Sequence, residues 1–208
     1  VARALGAGHR DAARKLVAHG LIIGLSGGLV FTLLLLGLGR GLYSLLGGRG
    51  VALEQALAYS QVLFAGAVLV WLANTLASLL RGSGNTLAPA LAFAGTAIVQ
   101  VPLSGALTLG WGPFPRLGIA GAATAYVIAF GLASLAMAVL VWQSALRPQR
   151  THLRLEGKLF REILRVGAIS SLSALQTVLT AVILTGFVAR FGTAALAGYG
   201  VGVRLELL

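Results

Sequence analysis

No cysteine occurs in these 208 residues, only five side chains are acidic, and charged residues of either sign make up 10% of the chain. The first absence excludes disulfides, a thiolate nucleophile and cysteine-ligated zinc. The second bears on catalysis. Asp11, Glu54, Glu156, Glu162 and Glu206 leave no two carboxylates close together within or beside an apolar run. Prenyl or phosphoryl transfer inside a membrane usually needs paired acids that hold magnesium around a diphosphate, so a membrane-embedded transferase is disfavoured. His9, His19 and His152 are too far apart in sequence to form a local metal motif. No metal, no cofactor and no enzyme activity are expected.

What the chain does have is apolar bulk. Its composition is 58% hydrophobic and its mean hydropathy is +0.93, outside the range of soluble globular domains. The net charge of +11 is no nucleic-acid footprint, because the cations sit between apolar runs instead of on one aromatic-interleaved face. Between charged residues lie Gly20–Gly39, Gln55–Leu80, Gly82–Pro115, Leu117–Leu146 and Val166–Ala189. Each reaches the roughly 20 residues a helix needs to cross the hydrocarbon core. None alternates in polarity as barrel strands must. The expected fold is therefore all-α: a polytopic transmembrane helix bundle with five full spans and a sixth, begun after Arg190, that stops at Leu208. Val1 opens a polar stretch where an initiator or signal segment belongs, so the expectation is an internal piece of a longer protein.

Short cytoplasmic loops retain Lys and Arg. Arg3, Arg10, Arg14 and Lys15 precede the first span, Arg81 follows the second, and Arg147, Arg150, Arg154, Lys158, Arg161 and Arg165 follow the fourth. They outnumber Arg40, Arg49, Arg116 and Arg190 in the opposite loops. Residues 1–15 and 147–165 are thus expected in the cytoplasm of a plasma membrane, a bacterial inner membrane by this reading. The long basic connection is the one composition shift that marks a lobe boundary. It divides the chain into a first lobe (1–150), a connector (151–165) and the start of a second lobe (166–208). Leu155, Leu159, Phe160, Ile163 and Leu164 recur there at helical spacing opposite the cations, the pattern of a short helix on an anionic leaflet. A solvated basic linker kept for topology fits the same residues.

Small residues mark packing seams: Gly20, Gly24 and Gly28 in the first span, and Gly121, Ala125, Ala129 and Ala133 in the fourth, let helix backbones approach closely. The run Arg81-Gly82-Ser83-Gly84-Asn85-Thr86 reads as a turn and lacks the spacing and lysine of a phosphate loop.

Polar side chains inside spans are costly and face a bundle interior or a watery cavity. In the second span Ser60, Phe64, Ala67, Trp71, Asn74 and Ser78 step by threes and fours onto one helix side. Ser170, Ser173, Thr177 and Thr180 do the same in the fifth, with Gln176 beside them. Gln100 lies near the middle of the third, and Pro102 frees the carbonyl of Ile98 and disposes that helix to bend. Two readings stand: interhelical hydrogen bonds that hold the bundle, or a cavity lined by rings and neutral polar groups that suits amphipathic organic cations. Glu206 is the one acid expected to enter the membrane. Arg204 either pairs with it structurally or leaves it as an ion-coupling group.

Several segments resemble the multidrug and toxic compound extrusion (MATE) family. Arg3 to Gly8 with Ala12-Ala13-Arg14 resembles the stretch after that family's second helix. Arg81 to Thr86, with Pro89 beyond, resembles the turn between its fourth and fifth. Leu117 to Ala125 is similar to the start of the sixth, Val166-Gly167-Ala168 to that of the seventh, and Phe191-Gly192, Ala195 to Gly200 and Arg204-Leu205-Glu206 to that of the eighth. The resemblance implies a chain running from the end of helix two to the start of helix eight of a twelve-helix, two-lobe exporter that works as a monomer. It also implies exchange of drug-like molecules for protons or sodium ions through membrane carboxylates. Where some sodium-coupled members carry an acid in helix seven, this chain has neutral Gln176 and Thr177, so the coupling ion stays open between H+ and Na+. The rival of the same architecture is a flippase for lipids or polysaccharide precursors, whose cavity would carry several arginines. A structural membrane subunit also fits. Membrane lipids are the other expected partner.

Overall fold

A computed structural model describes residues 1–144, 146–147 and 156–206. Eight helices follow in chain order: α1 (Ala2–Gly6), α2 (Arg10–Leu45), α3 (Gly50–Ala65), α4 (Ala67–Gly82), α5 (Leu87–Leu109), α6 (Ile119–Gln143), α7 (Gly157–Ala189) and α8 (Thr193–Glu206). Among the described residues there is no strand. By length and apolarity α2, α5 and α6 each suffice to cross a membrane, and α3 with α4 makes a fourth span bent by 49°. Large apolar side chains face outward along them, among them Leu33, Ile98, Val101 and Leu135. A bilayer rewards such exposure, whereas water would not.

The helices depart from the expected spans in three places. The first, α2, takes in Arg10, Arg14, Lys15 and Arg40 and reaches 36 residues. Its charged ends extend beyond the apolar stretch, where long side chains reach the interface. The second span is two helices, broken at Gly66. A Cβ at Gly66 would collide with Val127 of α6, so only glycine lets the break press against that helix. Thr32 of α2 donates from Oγ1 to the Phe64 carbonyl at 2.9 Å, adding a donor from a second helix to an oxygen that a main-chain N–H at the break also reaches. The third departure is in the connector. The basic residues after Glu156 form no separate helix on the leaflet; they are the opening turns of α7, which continues without a break to Ala189. The apolar run Val166–Ala189 read from sequence forms the later part of that same helix. Pro102 lies inside α5, which is continuous to Leu109.

Packing follows the small residues. α4 lies between α2 and α6, α5 packs along α6, and α3 touches α2 and α6. Gly24, Gly28, Gly121, Ala125, Ala129 and Ala133 are buried, as the seams predict, whereas Gly20 of the first seam is only half-buried. At the α5–α6 turn Gly110 takes a left-handed conformation, φ 76°, and Leu117 donates its N–H to the Leu107 carbonyl at 2.8 Å. The core gathers at the end of the bundle where α2 begins and α4 and α6 finish, around Val17, Leu76, Leu80, Met137 and Val141. α7 touches α2 and α8. It meets α2 near both ends, Glu156 and Phe160 against Lys15 and His19, and Ala189 against Gly47.

Candidate functional site

The break at Gly66 organises the aromatic part of the expected stripe. Phe31 on α2 stands edge-on to Phe64, ring centres 6.4 Å apart, and tilted against Trp71 at 5.9 Å. Trp71 can lie this close to α2 because Gly27 and Gly28 face it. A Cβ at Gly27 would come within 2.8 Å of the indole.

Below the break, Trp71, Asn74, Thr75 and Ser78 line an open groove of about 530 Å³ with Gly20, Val70 and Leu79. Its polar groups are neutral and mostly tied to their own helix. Asn74 donates from Nδ2 to the Val70 carbonyl at 2.9 Å, Thr75 to Trp71 at 2.9 Å and Ser78 to Asn74 at 2.8 Å. Arg81 at the mouth donates to Ser78 Oγ at 3.2 Å. Asn74 Oδ1 has no protein partner among the described residues, so it is available to accept a hydrogen bond beside an indole face.

The stripe read as one surface is therefore two. The helical projection treated α3 and α4 as a single straight rod, and the bend turns the upper half elsewhere. Phe64 and Ser60 line a smaller cavity of about 250 Å³ with Gln61, Leu57, Gly39 and Arg40. Ser60 is buried and donates to Leu57, and Ala67 is buried in packing. Gln100 is half-buried on α5 and lines neither space. Gln176, Thr177 and Thr180 are exposed on α7, where Thr180 donates to the Gln176 carbonyl at 3.0 Å. These too line neither groove. Arg204 and Glu206 fall in α8, but their side chains, like those of Ser170 and Ser173, lie outside the described residues.

Two features come from tertiary contact alone. A cavity of about 610 Å³ sits where α2 ends, α3 begins and α7 ends, lined by Arg49 and Arg190 with Leu45, Ile183 and Phe187. The Arg190 guanidinium lies 5.6 Å over the Phe187 ring. At the opposite end His19 is fully buried, 4.7 Å from the Phe160 ring. Its Nε2 faces the Glu156 N–H at 3.0 Å, and Lys15 pairs with the Glu156 carboxylate at 2.6 Å. That lysine, by hydrogen bond and then by charge, holds the Glu156 carboxyl below the usual range. The sequence offers no signal for this contact, since the partners are 137 residues apart.

Comparison with known proteins fits this architecture. The family model MatE matches residues 1–105. The probable multidrug resistance protein YoeA of Bacillus subtilis (strain 168) is 27% identical over 148 residues, covering 69% of this chain and 32% of that protein. A MATE transporter of the MOP superfamily solved in an inward-facing conformation overlays 99% of the chain with a TM-score of 0.90 at 27% identity. The chain covers 47% of it. An outward-facing MATE structure overlays the same share with a TM-score of 0.80 at 26% identity, 46% of its length being covered. The chain thus spans about a third of the curated relative and just under half of these solved structures. With half its residues matched by the family model and nearly all of it overlaid on solved members, the chain belongs to the MATE family of multidrug transporters, a multi-pass membrane protein and not an enzyme.

Proposed function

We propose that this chain forms part of a secondary antiporter that exports amphipathic organic cations in exchange for protons or sodium ions, by alternating access between two lobes. The observation that carries the reading is the groove on α4. It joins an exposed indole to an unpartnered neutral acceptor, Asn74 Oδ1, with no acid in its lining. A ring face attracts a cation and an amide oxygen accepts an ammonium hydrogen, while the lack of fixed charge lets varied drugs bind without a buried ion pair. On this reading residues 1–150 contribute to the first lobe, 151–165 connect, and 166–208 open the second. Residues 1–15 and 147–165 face the cytoplasm of the plasma membrane, and the intact transporter works as a monomer. The higher overlay on the inward-facing structure supports an inward-facing arrangement. Gln100, Gln176, Thr177 and Thr180 remain pathway candidates on helices that the groove does not include. Glu206 with Arg204 remains the ion-coupling candidate.

Efflux of a cationic dye tests the groove. Asn74→Leu, at an exposed position, should reduce efflux while membrane abundance stays at the wild-type level, and Trp71→Leu should reduce it further. Equal loss of abundance and efflux would return both residues to a packing role.

A flippase for anionic lipids is the second reading, favoured by the Arg49 and Arg190 cavity. It predicts that Arg49→Gln with Arg190→Gln abolishes lipid transfer and leaves dye efflux intact.

A further inference from the structure

The antiporter reading leaves one buried titratable group unused. Each ring nitrogen of His19 faces a partner whose hydrogen-bonding role is fixed. Nδ1 lies 2.8 Å from the Lys15 carbonyl, which can only accept, so Nδ1 carries the hydrogen. Nε2 lies 3.0 Å from the Glu156 backbone nitrogen, which can only donate, so Nε2 presents a bare lone pair. The α2–α7 junction therefore requires the neutral imidazole, in one tautomer.

We infer that His19 Nε2 is a proton-binding site whose occupation is incompatible with this junction, so that the head of α7 is held to α2 when the site is empty and released when it is filled. The proton comes from water at the membrane surface and is taken by the Nε2 lone pair. The imidazolium then opposes an N–H to the Glu156 N–H, and that hydrogen bond is lost. The amide belongs to Glu156, the N-cap residue immediately before α7, so its release frees the end of that helix. The charged groups beside the ring are the Glu156 carboxylate and the Lys15 ammonium, 2.6 Å from each other, and Phe160 covers the ring. One turn back on α2, Arg14 pairs with Asp11 at 3.4 Å. On α7, Lys158, Arg161 and Glu162 are exposed. On α4, Arg81 is turned to Ser78. The inference rests on the antiporter reading only for its consequence, that a proton thereby controls movement of α7 against the first lobe.

Distance measurements on the intact protein in lipid nanodiscs test it. This chain brings no cysteine of its own, so spin labels at Arg10→Cys and Arg161→Cys report the junction, and labels at Arg10→Cys and Asn85→Cys serve as a control within the first lobe. Between about pH 8 and pH 5, the range in which histidines commonly titrate, the junction pair should lose its short-distance population while the control stays fixed. His19→Gln supplies an amide oxygen near the Nε2 position that accepts from Glu156 and does not titrate, so the short distance should persist throughout. A wild-type junction unchanged across this range would overturn the inference, as would an undiminished pH response in His19→Gln. If His19→Gln does not fold, nitrogen resonances of labelled histidine in the wild type decide: an Nε2 already protonated at pH 8 refutes the site, and one that gains its proton as the short distance disappears supports it. Absence of dye efflux in every ion gradient would sink the antiporter reading while leaving this distance response as it is.

Discussion

Alanine at Gly121 should loosen the pairing of α5 with α6. A Cβ there would come to 2.6 Å from the Leu107 carbonyl carbon and oxygen and 2.8 Å from the Thr108 nitrogen. These are main-chain atoms, and the Leu117 N–H holds that same carbonyl at 2.8 Å, so they cannot rotate aside. Carbon contacts settle near ~3.5–4.0 Å, which means the helices must part by roughly 1 Å. Overpacking of this kind costs about 1–3 kcal/mol. The compensating helix propensity of alanine over glycine is at most about 1 kcal/mol and is smallest in a first turn, where Gly121 sits. Gly95→Ala is the comparison, because nothing lies within 4 Å of a Cβ at that position. It should be neutral or stabilising by up to about 1 kcal/mol. Thermal unfolding of the two variants side by side in detergent reads the difference, at roughly 2–4 °C per kcal/mol for a domain of this size. Gly121→Ala melting at or above wild type, or Gly95→Ala falling as far, would refute the steric argument.

Three further outcomes follow from particular contacts. Thr32→Val removes the hydroxyl that serves the Phe64 carbonyl at the helix break and should cost about 1 kcal/mol of stability by the same melting assay, with Thr32→Ser near wild type. The Glu156 carboxyl is held below its ordinary value by Lys15, so its contribution to the α2–α7 contact is complete above the ordinary carboxylate pKa and is lost as pH falls through the depressed one. In a His19→Gln background the junction distance should therefore loosen only at strongly acid pH, and Lys15→Met, which removes the cause of the shift, should weaken the junction without an acid-dependent step. Single cysteines at position 14 should react with an impermeant thiol reagent only from the cytoplasm, and those at 49 and 116 only from outside; labelling of position 14 in sealed cells would contradict the orientation.

Much of the helical architecture could be read from residue order because lipid imposes a simple rule: apolar runs between cations become helices. The seams at Gly24, Gly28 and Gly121 were legible for the same reason, since close backbone approach needs small side chains. The break at Gly66 was not. It lies inside an unbroken apolar run, and what fixes it is Val127 of α6 and Thr32 of α2, both distant in sequence. Once the rod bends, Phe64 parts from Trp71 and Asn74, Ser60 and Phe64 line another cavity, and Ala67 is buried in packing. The charges of the connector likewise misplaced the start of α7, because Lys158, Arg161 and Arg165 read as a separate leaflet helix or a solvated linker although the spanning helix can carry them beyond the membrane. His19 stood in the sequence as one of three scattered histidines, and only the fold brings Glu156 to it.

Coupled flux is the property that decides whether the groove serves an antiporter. The intact protein, reconstituted in sealed liposomes, would be given a pH gradient or a sodium gradient while a cationic dye is followed across the membrane. Antiport requires dye movement against its own gradient when one of these ions runs the other way, collapse when an ionophore dissipates that ion, and a reduced rate with Asn74→Leu. Dye movement that ignores both gradients, or that Asn74→Leu and Trp71→Leu leave unchanged, would contradict it.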